Sequence, residues 1–258
     1  MTIVFITWVF FGSAWDWFSY YWRYIWLILL LAAVFRSWQK GRSLPARIKF
    51  NSAQKWTMGV NVFLIFVFGL YSVWIFKGFT ADGTAVELEF PLKSGTYYVG
   101  QGGNTVQINY HNEFLPQQYA LDIVELSGLG TRAKGLYPKE LEQYAIYGET
   151  LYSPCTGKII EARNDLPDLI PPQADSENPE GNYVNIACEG VNVLIAHMKE
   201  GSSTVKAGDP IDKGQKIGLV GNSGNTSEPH LHIHAEKDGV GIPIEFDGRF
   251  LVRNSLVK

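Results

Sequence analysis

The longest apolar stretches of the chain lie in its first 80 residues. Twenty residues from Thr57 to Phe76 carry no charge, and a helix of roughly that length crosses the hydrocarbon core of a bilayer. The stretch from Phe18 to Phe35 is nearly as long, and Arg23 is close enough to its start for the guanidinium to reach the lipid headgroups. We therefore expect two transmembrane helices, over residues 18–35 and 57–76.

A third apolar stretch, residues 2–15, is too short to span a bilayer. Its fourteen residues reach only about 21 Å as a helix, so we expect it to lie at the membrane interface or to re-enter the bilayer. No Lys or Arg precedes it and no small-x-small cleavage site follows it. Because a signal peptide carries both features, we expect residues 1–80 to remain as a membrane anchor.

Charged residues indicate the orientation of this anchor. The loop between the two predicted spans, residues 36–56, holds six Lys or Arg residues and no acidic residue. Basic loops of this length stay in the cytoplasm. We therefore expect a protein of the cytoplasmic membrane, with residues 81–258 in a periplasmic or extracellular domain.

Composition separates the same two parts of the chain. All eight Trp lie in the first 80 residues, whereas all five His and both Cys follow residue 110. Residues 1–80 carry eight basic residues and one acidic residue, and residues 81–258 carry 14 basic and 24 acidic residues, a net charge of −10. Because the basic residues cluster beside apolar segments and the second part is acidic, a nucleic-acid partner is not expected.

Short apolar runs separated by turn residues follow residue 80. This pattern predicts a mostly antiparallel β-sheet or sandwich, with strands within residues 92–100, 101–110, 153–162, 181–187, 191–198, 215–225 and 230–236. The segment Lys139–Tyr147 is predicted to form the one substantial helix of this domain. Asn164–Gly181 contains four Pro and five acidic residues, and we expect it to be a loop that overhangs one face.

Two cysteines, Cys155 and Cys188, lie in or beside predicted strands of this domain. In an oxidising compartment outside the cytoplasm, two cysteines favour a disulfide bond. The alternative is two reduced, buried thiols in a weakly oxidising compartment.

Histidines form the clearest chemical pattern of the chain. His230 and His232 are two positions apart on a predicted strand, so their side chains leave the same face about 6.5 Å apart. His234 continues this alternation, and His197 ends another apolar run. In such an arrangement one imidazole can bind a metal while another faces the water that the metal binds.

Residues 181–236 resemble the core of the lysostaphin-like, or LytM-type, zinc metallopeptidases, which cut peptidoglycan cross-links. The matching motifs are GNYVNI, LIAHM and the run from Val205 to Ile233 that ends in HLHI, together with YALDI upstream. The resemblance implies two sheets that border a groove with the metal on its floor. The expected fold is therefore a membrane anchor followed by a mostly β, LytM-type, β-sandwich-like peptidase domain.

The resemblance also implies roles for four residues. Asp122 and His232 match zinc ligands, and His197 and His230 match the pair beside the catalytic water. A Zn²⁺ ion with an open position lowers the pKa of its bound water to about 7 and polarises the scissile carbonyl. A nearby imidazole can accept the proton of that water or stabilise the developing oxyanion.

The chain departs from the family at the remaining ligand. The family has a histidine four residues before the aspartate, where this chain has Gln118, and Gln is a poor zinc ligand. We expect His111, eleven residues before Asp122, to be the third ligand. Glu113 is a further candidate, and a surface role for His111 is the alternative.

The leading hypothesis is a zinc endopeptidase that hydrolyses peptide cross-links of peptidoglycan. Its expected partners are the wall peptide and the lipid bilayer, and an envelope regulator is a further candidate. The main alternative is a non-catalytic domain of the same fold that binds wall peptides or regulates another hydrolase. His197, His230 and His232 favour the enzyme, whereas Gln118 favours the alternative. A membrane sensor ranks last, since the cytoplasmic loop has no recognisable output module.

Overall fold

The N-terminal region of the computed structural model is helical, and the model describes residues 2–42, 44 and 49–258. Its helices are α1 (Thr2–Gly12), α2 (Trp22–Arg42) and α3 (Ser52–Lys77). Among the described residues, α3 is the one helix long and apolar enough to cross a membrane, with a mean hydropathy of 2.1. The predicted span 57–76 lies within it. Asn51 caps its first turn, accepting from the backbone N–H of Gln54 at 2.8 Å.

Helix α2 covers only part of the second predicted span. It begins at Trp22 rather than at Phe18, so the apolar helical portion up to Phe35 has 14 residues and a length of about 21 Å. The rest of α2 carries Arg36, Lys40 and Arg42. The second span therefore stays a prediction, and Arg47 of the basic loop 36–56 lies outside the described residues.

Helix α1 packs along the C-terminal half of α3 and runs in the same direction. The aromatic rings of Phe5 and Phe68 lie 5.6 Å apart, and those of Phe11 and Phe76 lie 5.1 Å apart. With 11 residues, α1 is too short to cross a bilayer by itself.

The C-terminal domain is mostly β, as predicted. Its strands are β1 (Val86–Leu88), β2 (Tyr97–Gln101), β3 (Leu121–Glu125), β4 (Thr150–Tyr152), β5 (Gly157–Arg163), β6 (Asn182–Cys188), β7 (Val191–Met198), β8 (Pro210–Ile211), β9 (Lys216–Leu219), β10 (Leu231–Lys237), β11 (Val240–Ile242), β12 (Ile244–Phe246), β13 (Arg249–Phe250) and β14 (Leu256–Val257). Nine of them form one sheet in the order β14-β2-β3-β10-β7-β6-β5-β8, with β11 beside β10.

Alternation along the central strands separates the core from the face that carries chemistry. Leu231 and Ile233 of β10 are fully buried in the hydrophobic core, together with Ile123 of β3 and Ile195 of β7. Side chains of successive residues point to opposite faces of a strand. His232, between two core residues, is therefore directed to the other face.

Two predicted elements are absent from the structure. In the segment Lys139–Tyr147 the regular part is a single 3-10 turn, Leu141–Gln143, because the backbone N–H of Ala145 donates to the carbonyl of Arg132 instead of to its own helix. Residues 102–109 form turns rather than a strand. Their turn is held by Asn109, whose side-chain amide donates to the carbonyl oxygen of Gly103 at 2.9 Å.

The predicted disulfide is present. Cys155 and Cys188 are bonded across 33 residues of sequence, and the bond joins the turn before β5 to the end of β6.

Removing this disulfide is expected to destabilise the domain. Closing a loop of this length contributes roughly 3 to 4 kcal/mol in the chain-entropy model. In denaturant unfolding of the full chain in detergent, a reductant should lower the free energy of unfolding of the wild type by about this amount. The doubly substituted Cys155→Ser, Cys188→Ser chain is the control and should not respond to the reductant. Equal stability of the oxidised and reduced wild type would contradict the expectation.

Candidate metal centre

Asp122 and His232 are brought together by strand pairing. They face each other in the antiparallel register of β3 and β10, and Asp122 Oδ1 lies 2.9 Å from His232 Nδ1. Both residues are buried. The two positions that the family resemblance assigned to zinc binding are therefore neighbours on one face of the sheet.

His111 approaches the same carboxylate from a short 3-10 helix, Tyr110–Glu113, that precedes β3. Its Nε2 lies 3.0 Å from each carboxylate oxygen of Asp122, and the ring is buried. Asn109 fixes this helix, since its Oδ1 accepts from the backbone N–H of His111 and its amide donates to the carbonyl of Ala120 at 3.1 Å.

The two other candidates for the third ligand position lie elsewhere. The side-chain amide of Gln118 donates to the carbonyl of Gly241 on β11 at 3.1 Å, so it is held against a neighbouring strand. Glu113 is exposed and lines the cavity beside His111. In this structure His111 is the candidate in contact with Asp122.

His197 and His230 lie close to His232 and to each other. The rings of His197 and His230 are 4.8 Å apart, and those of His197 and His232 are 5.7 Å apart. His230 Nε2 is 3.5 Å from Asp122 Oδ1. All five residues named from the sequence therefore converge on one site.

Backbone carbonyls set the orientation of both rings. His230 Nδ1 lies 2.9 Å from the carbonyl oxygen of Glu228, and His197 Nδ1 lies 2.9 Å from that of Ser223. Since a carbonyl only accepts, Nδ1 carries a proton in both rings, so Nε2 holds a lone pair whenever the ring is neutral. His197 reaches this position with a φ of 59°, a left-handed backbone that is rare for a residue with a side chain.

The donor atoms fit a metal ion. Two overlapping groups, His111–Asp122–His232 and His197–His230–His232, each have their donor atoms within 4.8 Å of one another. His230 Nε2 is buried without a hydrogen-bond partner, which is costly unless something else binds it. Imidazole and carboxylate donors are a set that suits Zn²⁺.

Electrostatics keeps the carboxylate charged and two of the rings neutral. Burial by itself would raise the pKa of Asp122, but the neighbouring His111 and His230 hold that pKa well below its usual value. Burial lowers the pKa of His197 and of His232, and the other histidines lower both further. Neutral imidazoles and an ionised carboxylate are the forms that bind metals.

Two further side chains contact the candidate ligands. Tyr110 donates its hydroxyl to Asp122 Oδ2 at 3.1 Å, and burial followed by the nearby Asp122 raises the pKa of this phenol. His234 Nδ1 lies 3.0 Å from His232 Nε2. The alternation of histidines drew attention to His234, whereas nothing in the sequence pattern singled out Tyr110.

The cluster lies at the base of two adjoining cavities. One of about 420 Å³ is lined by His111, His197 and His232, and one of about 380 Å³ is lined by Asp122 and His230. The segment 164–181, predicted to overhang one face, contributes lining residues to both cavities.

The model of peptidase family M23 matches residues 141–243. This range contains His197, His230 and His232 and leaves out His111 and Asp122. The peptidoglycan DD-endopeptidase ShyA of Vibrio cholerae is 33% identical over 85 residues, 33% of this chain and 17% of the relative. The match thus spans about a sixth of the relative's length.

Solved structures with likeness to this chain include peptidases from two bacteria. A zinc-containing peptidase from Vibrio cholerae is 19% identical, with a TM-score of 0.36 and coverage of 61% of this chain and 39% of that one. A putative peptidase M23 from Pseudomonas aeruginosa is 15% identical, with a TM-score of 0.37 and coverage of 71% and 57%. Over residues 141–243 the chain is thus similar to peptidase family M23.

Proposed function

We propose that this chain is a zinc endopeptidase that hydrolyses peptide cross-links of bacterial peptidoglycan. The observation that carries the proposal is the convergence of His111 and His232 on Asp122, with His197 and His230 on the adjoining side. The relative ShyA is a peptidoglycan DD-endopeptidase, which supports the substrate class.

In this proposal His111, Asp122 and His232 hold the metal. A bound zinc ion supplies a Lewis acid that polarises the scissile carbonyl and lowers the pKa of a water molecule to about 7. Tyr110 holds one oxygen of Asp122 by its hydroxyl, and His234 contacts the far nitrogen of His232. Such outer contacts fix the orientation of ligands.

His230 and His197 handle the proton and the attacking water. His230 Nε2, with its lone pair directed into the site, accepts the proton of the water that attacks the carbonyl carbon. The same nitrogen then returns the proton to the amine that leaves when the C–N bond breaks. His197 Nε2 is a second acceptor, which orients that water.

The N-terminal region is proposed to anchor the enzyme in the cytoplasmic membrane. Helix α3 and the span within residues 18–35 would cross the bilayer, the basic segment 36–56 would face the cytoplasm, and residues 81–258 would form the peptidase domain outside it. The six basic residues of that segment support this orientation.

The competing proposal is a non-catalytic domain that binds wall peptides or regulates another hydrolase. Its support is Gln118, which stands where the family has a ligand and bonds to Gly241 instead. Metal binding and hydrolysis distinguish the two proposals.

Substitution of the third ligand should separate His111 from Gln118. His111→Ala is expected to weaken zinc binding by orders of magnitude, as loss of one of three protein ligands would. Gln118→Ala removes the partly buried amide at the family's ligand position and should change zinc affinity much less. Competition with a chelator of known affinity measures both. Equal losses, or a larger loss for Gln118→Ala, would contradict the assignment of His111.

Substitution of the two proton-handling histidines should separate chemistry from metal binding. His197→Ala and His230→Ala are expected to retain zinc. Their rate of peptide release from purified peptidoglycan should fall by roughly a hundredfold or more, the usual scale for a positioned acid or base. Asp122→Ala should instead lose the metal. A wild-type chain that holds no stoichiometric zinc under metal-replete conditions would overturn the enzyme and favour the non-catalytic alternative.

A further inference from the structure

The segment between α1 and α2, residues 13–21, is part of the β domain's surface. The backbone N–H of Trp15 donates to the hydroxyl of Tyr98 at 3.0 Å. The backbone N–H of Tyr20 donates to the carbonyl of Gly130 at 2.7 Å. Trp15 and Tyr20 are buried with Tyr98 in a second apolar cluster. This segment is therefore fixed to the domain rather than being a free connection between helices.

A buried ion cluster joins this segment to the loop that precedes β10. Arg132 Nε lies 2.7 Å from Glu228 Oε1 and 3.7 Å from Asp16 Oδ2. Asp16 is 5% exposed and Arg132 is 1% exposed. Two carboxylates thus share one guanidinium, and the cluster has one negative charge in excess when both are ionised.

Three polar atoms of the cluster have no hydrogen-bond partner. Asp16 Oδ1, Glu228 Oε2 and Arg132 Nη1 are all buried without a partner. A buried polar atom left in this state costs roughly 1 to 3 kcal/mol. Burial also raises the pKa of Asp16 to about 6, although Arg132 lowers it.

Both acidic residues of the cluster line a cavity beside the candidate active site. Asp16 and Glu228 line the cavity of about 380 Å³ together with Asp122 and His230. The guanidinium of Arg132 lies under Trp17, with Cζ 3.8 Å from the ring centre. A ligand in this cavity would therefore meet the acids before the cation.

Glu228 also connects this wall to the reacting groups. Its carbonyl oxygen holds His230 Nδ1 at 2.9 Å, so its carboxylate and the ring of His230 lie two residues apart on one short segment. A group bound at Glu228 would be within the reach of a peptide whose scissile bond lies beside His230.

We propose that Asp16 and Glu228 form a subsite for an ammonium group of the substrate peptide, so that the segment before α2 contributes to substrate recognition. This inference rests on the proposed peptidase function for the identity of its ligand. An ammonium group supplies donors and a positive charge where the structure has unpartnered carboxylate oxygens and an excess negative charge.

Binding to the metal-free full chain tests the subsite without hydrolysis. The probes are a cross-linked peptide dimer released from purified peptidoglycan, with its free amino groups, and the same dimer after acetylation. Titration calorimetry of the chelator-treated wild type in detergent should show the acetylated dimer binding about tenfold more weakly, since a charge-assisted hydrogen bond is lost. Equal affinities, or no binding of either dimer, would overturn the proposal.

Conservative substitutions assign the effect to the two carboxylates. Asp16→Asn and Glu228→Gln each should weaken binding of the free dimer about tenfold and leave that of the acetylated dimer unchanged. Glu189→Gln, which removes an exposed carboxylate from the turn between β6 and β7, is the matched control and should retain the preference. Loss of cooperative thermal unfolding would show that a variant is misfolded. If one variant misfolds, the other still tests the subsite. Equal weakening of both dimers would mean that the cluster only supports the fold.

Hydrolysis by the zinc-loaded chain separates this proposal from the proposed function. A preference for the free dimer without hydrolysis would refute the peptidase and leave the subsite standing. Hydrolysis of both dimers without any preference in binding would refute the subsite alone.

Discussion

Asp122 places an ionised carboxylate in the middle of a buried strand, and burial of a charge costs several kcal/mol unless partners compensate it. Four side chains supply that compensation: two imidazoles and a phenol contact its oxygens directly, and His230 lies 3.5 Å away. These partners come from two segments, the 3-10 helix Tyr110–Glu113 and the start of β10, so this one carboxylate joins both segments. A cation at the same point would satisfy the negative charge and the unpartnered nitrogen of His230 together.

The N-terminal region is connected to the candidate site through a series of side-chain and backbone contacts. Asp16 reaches Arg132, Arg132 reaches Glu228, and the carbonyl of Glu228 orients His230. Contacts thus run without a break from the segment between two apolar helices to a residue of the candidate site. In a membrane-anchored protein, this would keep the groove at a fixed height and orientation relative to the bilayer.

The central strands and the common face of their histidines could be predicted from the sequence. Alternating apolar and polar residues indicate which face of a strand each side chain occupies. His111, the candidate third ligand, was predicted only because it is near Asp122 in the sequence. The turn at Asn109 brings its side chain to Asp122. The segment Lys139–Tyr147 has helix-forming residues, but backbone hydrogen bonds to Arg132 replace its helical ones. The contact of Asp16 with Arg132 joins residues more than a hundred positions apart, and no local pattern encodes such a pairing.

The most direct test of a metal centre built on Asp122 is a crystal structure of the zinc-loaded chain with anomalous scattering measured at the zinc edge. We expect one strong peak bound by His111, Asp122 and His232, with nitrogen–zinc distances of about 2.0–2.1 Å. His197 and His230 should face the open side of the ion. A peak bound without His111, or no peak near Asp122 at all, would contradict the account.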